Sequence, residues 1–171
     1  MADAQATQKL SERPPQGAEN ADRQSLSEIG LDQFAPYLMN RIMGRYNAAL
    51  RDEMAGLGLT TPQMRALAVL SVRPDMLIGE LAVYAVVEQS TLSRAVEKLA
   101  RDGLVLRRQD DDDSRAVRVS MTAEGQSAFD RLWPHMAASY GRMFDGIDPE
   151  EQSAFVETLQ KILRNVRVNA F

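Results

Sequence analysis

Residues 88–122, EQSTLSRAVEKLARDGLVLRRQDDDDSRAVRVSMT, decide how this chain is read. On a helical wheel with Leu92 at zero, Val96, Leu99 and Ala95 fall within about 60° and form a narrow apolar stripe. Ser90, Thr91, Ser93, Arg94, Glu97, Lys98 and Arg101 fill the other side. Gly103 supplies the left-handed residue that commonly closes a helix. The chain then runs through Leu104, Val105 and Leu106 into Arg107 and Arg108, and turns through the acidic stretch Asp110 to Ser114. It returns as Arg115 to Met121, alternating with period two. A helix followed by a β-hairpin is the layout of a winged helix-turn-helix, whose helix enters the major groove while the hairpin reaches an adjacent groove. The predicted fold class is mainly α with a small β-hairpin wing, flanked by long N- and C-terminal helices.

Upstream of that stretch, Leu38, Ile42, Tyr46, Ala49, Leu50 and Met54 follow Pro36 at helical spacing, predicting one long helix that ends at Gly56. Thr60 or Thr61 caps the next helix, with Pro62 in its first turn and Gln63 placed for a capping box. That helix carries Met64, Leu67 and Leu70 and stops before Pro74. Residues 79–85 read as a short helix with Gly79 at its cap, and the turn after it, Ala85-Val86-Val87, lacks the glycine common there. Downstream, Thr122 caps a long helix to about residue 144, which Pro134 should kink. Asp148-Pro149-Glu150-Glu151 reads as a capping box with proline in the first turn, opening a final helix with Phe155, Leu159, Ile162, Leu163 and Val166. Residues 1–26, polar and proline-containing, predict a disordered or loosely docked tail. The remainder, 27–171, is expected to be one domain.

Composition narrows the function classes. A chain of 171 residues is long enough to bury a core. No apolar run approaches a membrane span, and the N-terminus lacks the basic-then-apolar layout of a secretion signal, so a cytoplasmic protein with no membrane partner is expected. The absence of cysteine removes disulfides, thiolate zinc sites and thiol redox sensing, and DNA binding is expected to be insensitive to mild peroxide. His135 is the lone histidine, and no ligand spacing surrounds it, so no metal site and no cofactor are expected. No nucleophile, base and orienting group stand together, which argues against an enzyme. Net charge is −4, yet only one face of a winged helix meets phosphate, so the average misleads. Within residues 88–118 seven basic residues face seven acidic ones, and the expected interface is therefore not strongly basic. Affinity should depend on geometry and fall with salt.

Several ordered pieces resemble the MarR family of transcriptional regulators over roughly residues 37–166. Leu57-Gly58-Leu59-Thr60-Thr61-Pro62-Gln63 is similar to the family's LGLT-x-PQ entry, and Gly79-Glu80-Leu81-Ala82 to the ELA of its first helix-turn-helix helix. Ser90-Thr91-Leu92-Ser93-Arg94, then Glu97-Lys98-Leu99 and Asp102-Gly103-Leu104-Val105, resemble the recognition helix and its exit. Asp113-Ser114-Arg115 matches the wing's D-x-R, and Met121-Thr122-Ala123-Glu124-Gly125 the LT-x-x-G that opens the next helix. The resemblance implies a winged helix-turn-helix over 57–121 and dimerisation helices over 30–56 and 122–171. It implies a homodimer on double-stranded DNA, binding a palindromic operator as a ligand-responsive repressor. It also implies a pocket for a small aromatic or anionic ligand, with Arg41, Tyr46 and Trp133 as candidate lining residues.

The candidate DNA contacts are Ser90, Thr91, Ser93, Arg94 and Lys98 on the helix and Arg115 on the wing. Serine and threonine bond either to bases or to phosphates, so no sequence code follows. Arg115 either enters the minor groove or pairs with Asp113 to brace the loop. The family often has a second arginine where this chain has Ser114. Asp110 to Asp113 repel phosphate unless they turn away or are neutralised by Arg107, Arg108 and Arg118, which makes those arginines, with Asp113, candidate wing supports. The local charge balance keeps a rival reading open: a winged-helix module for protein–protein contact without direct DNA binding. An enzyme built on a winged-helix dimerisation domain lacks any catalytic αβ segment here.

Overall fold

The computed structural model describes residues 25–167, along which the chain divides into two compact units between Gly44 and Arg45. The tail expected over 1–26 lies outside the described residues except for Ser25 and Leu26. Those two open a short helix, α1 (Leu26–Ile29), where the Ser25 amide donates to Glu28 Oε2 at 2.6 Å. α2 (Ala35–Ala49) follows and crosses the boundary between the units. The single long helix predicted to Gly56 is broken at Leu50, and α3 (Arg51–Gly56) continues after it. Leu50 sits at φ −94° and ψ −4° with its side chain fully buried. The apolar repeat is blind to this break, because Leu50 and Met54 stay four residues apart in either arrangement.

In the second unit α4 (Thr61–Leu70) starts at Thr60, whose amide and hydroxyl donate to Gln63 Oε1 at 2.8 and 2.9 Å. A two-residue strand, β1 (Met76–Leu77), precedes α5 (Ile78–Ala85), α6 (Gln89–Arg101), β2 (Val105–Gln109) and β3 (Val117–Met121). The predicted two-stranded wing is thus a three-stranded antiparallel sheet in the order β1-β3-β2. β1 pairs Met76 with Val119 and Leu77 with Arg118, and it is too short for alternation to reveal it. Gly79 lies inside α5 rather than at its cap; Glu80 reaches back to the Leu77 amide at 3.4 Å. α7 (Ala123–Met143) runs through Pro134 as one element, capped by Thr122 accepting from the Gly125 amide at 3.0 Å. α8 (Pro149–Val166) begins with Asp148 accepting from the Glu150 amide at 2.8 Å, so its cap bond goes to Glu150 and not into a reciprocal box with Glu151.

The core of this unit gathers Leu67 and Leu70 of α4, Leu81 of α5, the α6 stripe Leu92, Val96 and Leu99, Val105 and Val119 of the sheet, and Leu132 of α7. All are essentially inaccessible. The apolar side of α6 therefore fixes its opposite side outward, which is what an exposed recognition surface needs. α8 differs: it has no buried residue, and Leu163 and Val166 are 64% and 68% exposed.

The glycine-free turn between α5 and α6 is closed by Val86 in the left-handed conformation, φ 52° and ψ 51°. A β-branched residue is strained there by about 1–2 kcal/mol. Arg65 Nη1 holds the Val86 carbonyl at 3.0 Å, while the valine side chain is 78% exposed and contributes little burial. Val86→Gly is expected to raise the melting temperature by about 2–4 °C, since strain relief of about 1 kcal/mol outweighs the lost contacts. A lower melting temperature would show that the valine side chain matters more than its backbone.

Candidate nucleic-acid interface

The N-terminus of α6 is capped by Glu88, whose carboxylate accepts from the Thr91 amide at 3.0 Å and from the Ser90 hydroxyl. Those donors, led by the Ser90 hydroxyl, hold the Glu88 carboxyl down at about 2, against an ordinary glutamate value of 4.5. Two of the predicted contacts, Ser90 and Thr91, thus sit beside a permanent negative charge, and the Ser90 proton is already committed to it. Ser93 flanks the core stripe and is half-buried. Arg94 is exposed and forms no ion pair or hydrogen bond among the described residues. Lys98 is exposed too, but Asp102 grips its ammonium group with both oxygens, at 2.8 and 2.7 Å.

The wing is organised by its acidic turn. Asp110 Oδ1 accepts from the amides of Asp112 and Asp113 at 3.1 and 3.0 Å, closing the loop as an Asx-type turn. Its other oxygen accepts from Arg118 Nε, and that guanidinium holds the Asp110 carboxyl below the usual aspartate range. Arg108 bonds Asp75 at 2.8 Å and Asp111 at 3.1 Å. Arg107 turns to Glu97 on α6 at 3.9 Å and away from the acidic run. Asp113 does brace the loop next to Arg115, but through the main chain: it accepts from the Arg115 amide at 2.9 Å. The Arg115 guanidinium forms no ion pair among the described residues and is exposed.

Charge is therefore distributed by pairing more than by count. Four of the seven cations in 88–118, Lys98, Arg107, Arg108 and Arg118, are engaged by carboxylates. Arg94, Arg101 and Arg115 are left facing solvent. An exposed cation already paired gives little to a phosphate, because its neighbour's negative charge must be faced as well. Arg101 was not singled out by sequence; its only signal is its place on the polar side of the α6 wheel.

Of the candidate ligand residues, Arg41 lies in the first unit, stacked over the Tyr37 ring at 5.8 Å and donating to its hydroxyl at 3.2 Å. Tyr46 and Trp133 lie in the second unit. Tyr46 packs against the core, and burial pushes its hydroxyl pKa up. Trp133 is 54% exposed with its ring 6.2 Å from that of Phe129. Among the described residues no helix is long and apolar enough to cross a membrane.

The segment 57–116, which spans the helix-turn-helix and most of the wing, matches the family model described as MarR family. A transcriptional regulator of the MarR family from Silicibacter pomeroyi, solved by crystallography, is 58% identical, with 86% of this chain and 100% of that one aligned at a TM-score of 0.83. The HTH-type transcriptional repressor IacR of Pseudomonas putida is 24% identical over 139 residues, 81% of this chain and 83% of its own length. The fold is shared as well with BpsR of Bordetella bronchiseptica, whose DNA binding is regulated by 6-hydroxynicotinic acid: 24% identity, 74% of this chain and 96% of that one, TM-score 0.66.

Proposed function

This chain belongs to the MarR family of DNA-binding transcriptional regulators, and we propose that it acts as a homodimeric repressor whose affinity a small aromatic or anionic ligand tunes. The observation that supports this reading best is the pair of free guanidinium groups, Arg94 on the outward side of α6 and Arg115 at the wing tip. They are separated in sequence by the rest of α6, β2 and the acidic turn, and each lacks the kind of carboxylate partner that holds Lys98, Arg107, Arg108 and Arg118. Arg94, with Ser93 and the rim residues Ser90 and Thr91, is placed for the major groove, and Arg115 for the flanking groove or its phosphates. Lys98 joins them only by releasing Asp102. The rival reading, a winged helix for protein contact alone, rested on the balanced local charge; the similarity to proteins named as HTH-type transcriptional repressors favours DNA binding instead.

Dimerisation is part of the proposal because α8 has no fully buried residue among the described residues. Phe155, Ile162, Leu163 and Val166 leave an apolar surface that a second copy would cover, with the exposed Leu38 and Ile42 of α2 as a further face. Two recognition helices about 34 Å apart would then match successive major grooves of a palindromic site. Leu163→Glu is expected to leave each protomer folded and to weaken the dimer about 100-fold or more, given about 1.5–3 kcal/mol per buried leucine and two copies. Sedimentation across a concentration series reads this, and an unshifted dimer would remove α8 from the interface. A ligand would act by favouring a dimer whose helix spacing no longer fits the duplex. Tyr46 and Trp133, both in the second unit, are proposed to meet it, and BpsR is the relative whose small aromatic acid suggests the ligand class. The test of the whole reading is an electrophoretic mobility shift with DNA upstream of the chain's own gene; no shift at low salt would overturn it.

A further inference from the structure

Arg108 and Arg118 are directly opposite one another in the β2–β3 register. Like charges facing across a strand pair repel, so this hairpin needs counter-charge to hold its shape. Part of it comes from the wing itself, Asp110 on Arg118 and Asp111 on Arg108. The rest comes from a residue far away in sequence. Asp75, in the turn between α4 and β1, places Oδ2 at 2.8 Å from Arg108 Nη2 and 3.8 Å from Arg118 Nη1, and its carbonyl accepts from Arg118 Nη1 at 3.1 Å. Its backbone is left-handed, φ 59°, a conformation that aspartate tolerates better than most residues. Its Oδ1 is buried without a hydrogen-bond partner among the described residues, so the carboxylate is retained at a cost in solvation and turned toward the two arginines.

We propose that Asp75 is the positioning residue of the wing: from the body of the domain it clasps both strands of the hairpin and fixes where Arg115 is presented to DNA. The clasp acts at the base of the wing, and Arg115 sits at its tip, beyond the Asp110 turn. The consequence for DNA binding rests on the function proposed above; the clasp itself does not.

Two variants test it. Asp75→Asn keeps the shape and removes the charge, and Asp75→Gly removes the side chain while suiting the left-handed backbone, so neither should unfold the domain. In the DNA-free protein, exchange of the Asp110 amide, which donates to the Ala116 carbonyl across the wing, and of the Ala116 amide, which donates to the Asp113 carbonyl in its turn, should accelerate about tenfold or more in Asp75→Gly while core amides hold. Unchanged wing exchange would overturn the clasp. On the upstream DNA fragment, both variants should bind more weakly, and adding Arg115→Ala should then cost little more, because a displaced wing has already lost that contact. Tighter binding with a steeper salt dependence would overturn the proposal in the opposite way, showing that Asp75 merely masks two cations. If exchange accelerates while the wild-type protein shifts no DNA, the clasp stands and the DNA-binding reading fails.

Discussion

Gly125→Ala is expected to destabilise the protein by about 3 kcal/mol or more, enough to lower the melting temperature by roughly 6–12 °C. Helix propensity argues the other way, since alanine is favoured over glycine within a helix by about 1 kcal/mol. Sterics decides the sign. A Cβ on Gly125 would lie 2.0 Å from the Leu104 carbonyl oxygen and 2.8 Å from Met121 Cγ. The methionine is able to move, but the carbonyl is not: it accepts from the Thr122 amide at 3.1 Å, where the wing strand passes into α7. Thr122 adds a second tie, its hydroxyl donating to the Gly103 carbonyl at 2.7 Å. Alanine must therefore push α7 away from the exit of the recognition helix. Thermal unfolding followed by circular dichroism measures the loss, and a melting temperature equal to or above wild type would contradict this account of the close approach.

Arg115→Ala is expected to have the largest effect on DNA binding for the least effect on the fold. It removes one free cation per protomer and two per dimer, so the slope of log K against log salt should shrink by about two units. Stability should change by less than about 0.5 kcal/mol, as for other exposed positions. The loop brace survives the change, because Asp113 holds the Arg115 amide and not its guanidinium. Lys98→Ala is the informative comparison. Its ammonium is already clasped by Asp102, so its removal should alter the slope less than that of Arg115. Binding measured from low to moderate salt on a shifted fragment gives both slopes. An unchanged slope for Arg115→Ala would mean that the wing tip does not meet the phosphates.

Much of the architecture was legible because it is written in local periodicity. The α6 stripe of Leu92, Val96 and Leu99 is both the sequence pattern and the buried face, and the caps at Thr60 and Thr122 form as their residue types predict. Errors arose where local chemistry was ambiguous. Gly79 resembles a helix boundary but lies inside α5, because Glu80 satisfies the amide of Leu77 three residues before it. The break at Leu50 leaves the four-residue spacing intact and so leaves no trace in the apolar repeat. Family-like motifs located Gly125 without explaining it; the reason is a carbonyl twenty-one residues upstream.

By itself the sequence determined the order of the main helices and the hairpin, the outward face of the recognition helix and the approximate neutrality of its surroundings. Those follow from spacing and composition, which need no knowledge of what lies opposite. Only the tertiary structure decided which charges are free. Lys98 and Arg94 look alike on a helical wheel, yet one is held by Asp102 and the other faces solvent. Asp75 carried no signal at all, since its partners lie 33 and 43 residues away on two strands. Ion pairs act over a few ångströms in space and are indifferent to distance along the chain, so the effective charge of this surface is a property of the fold.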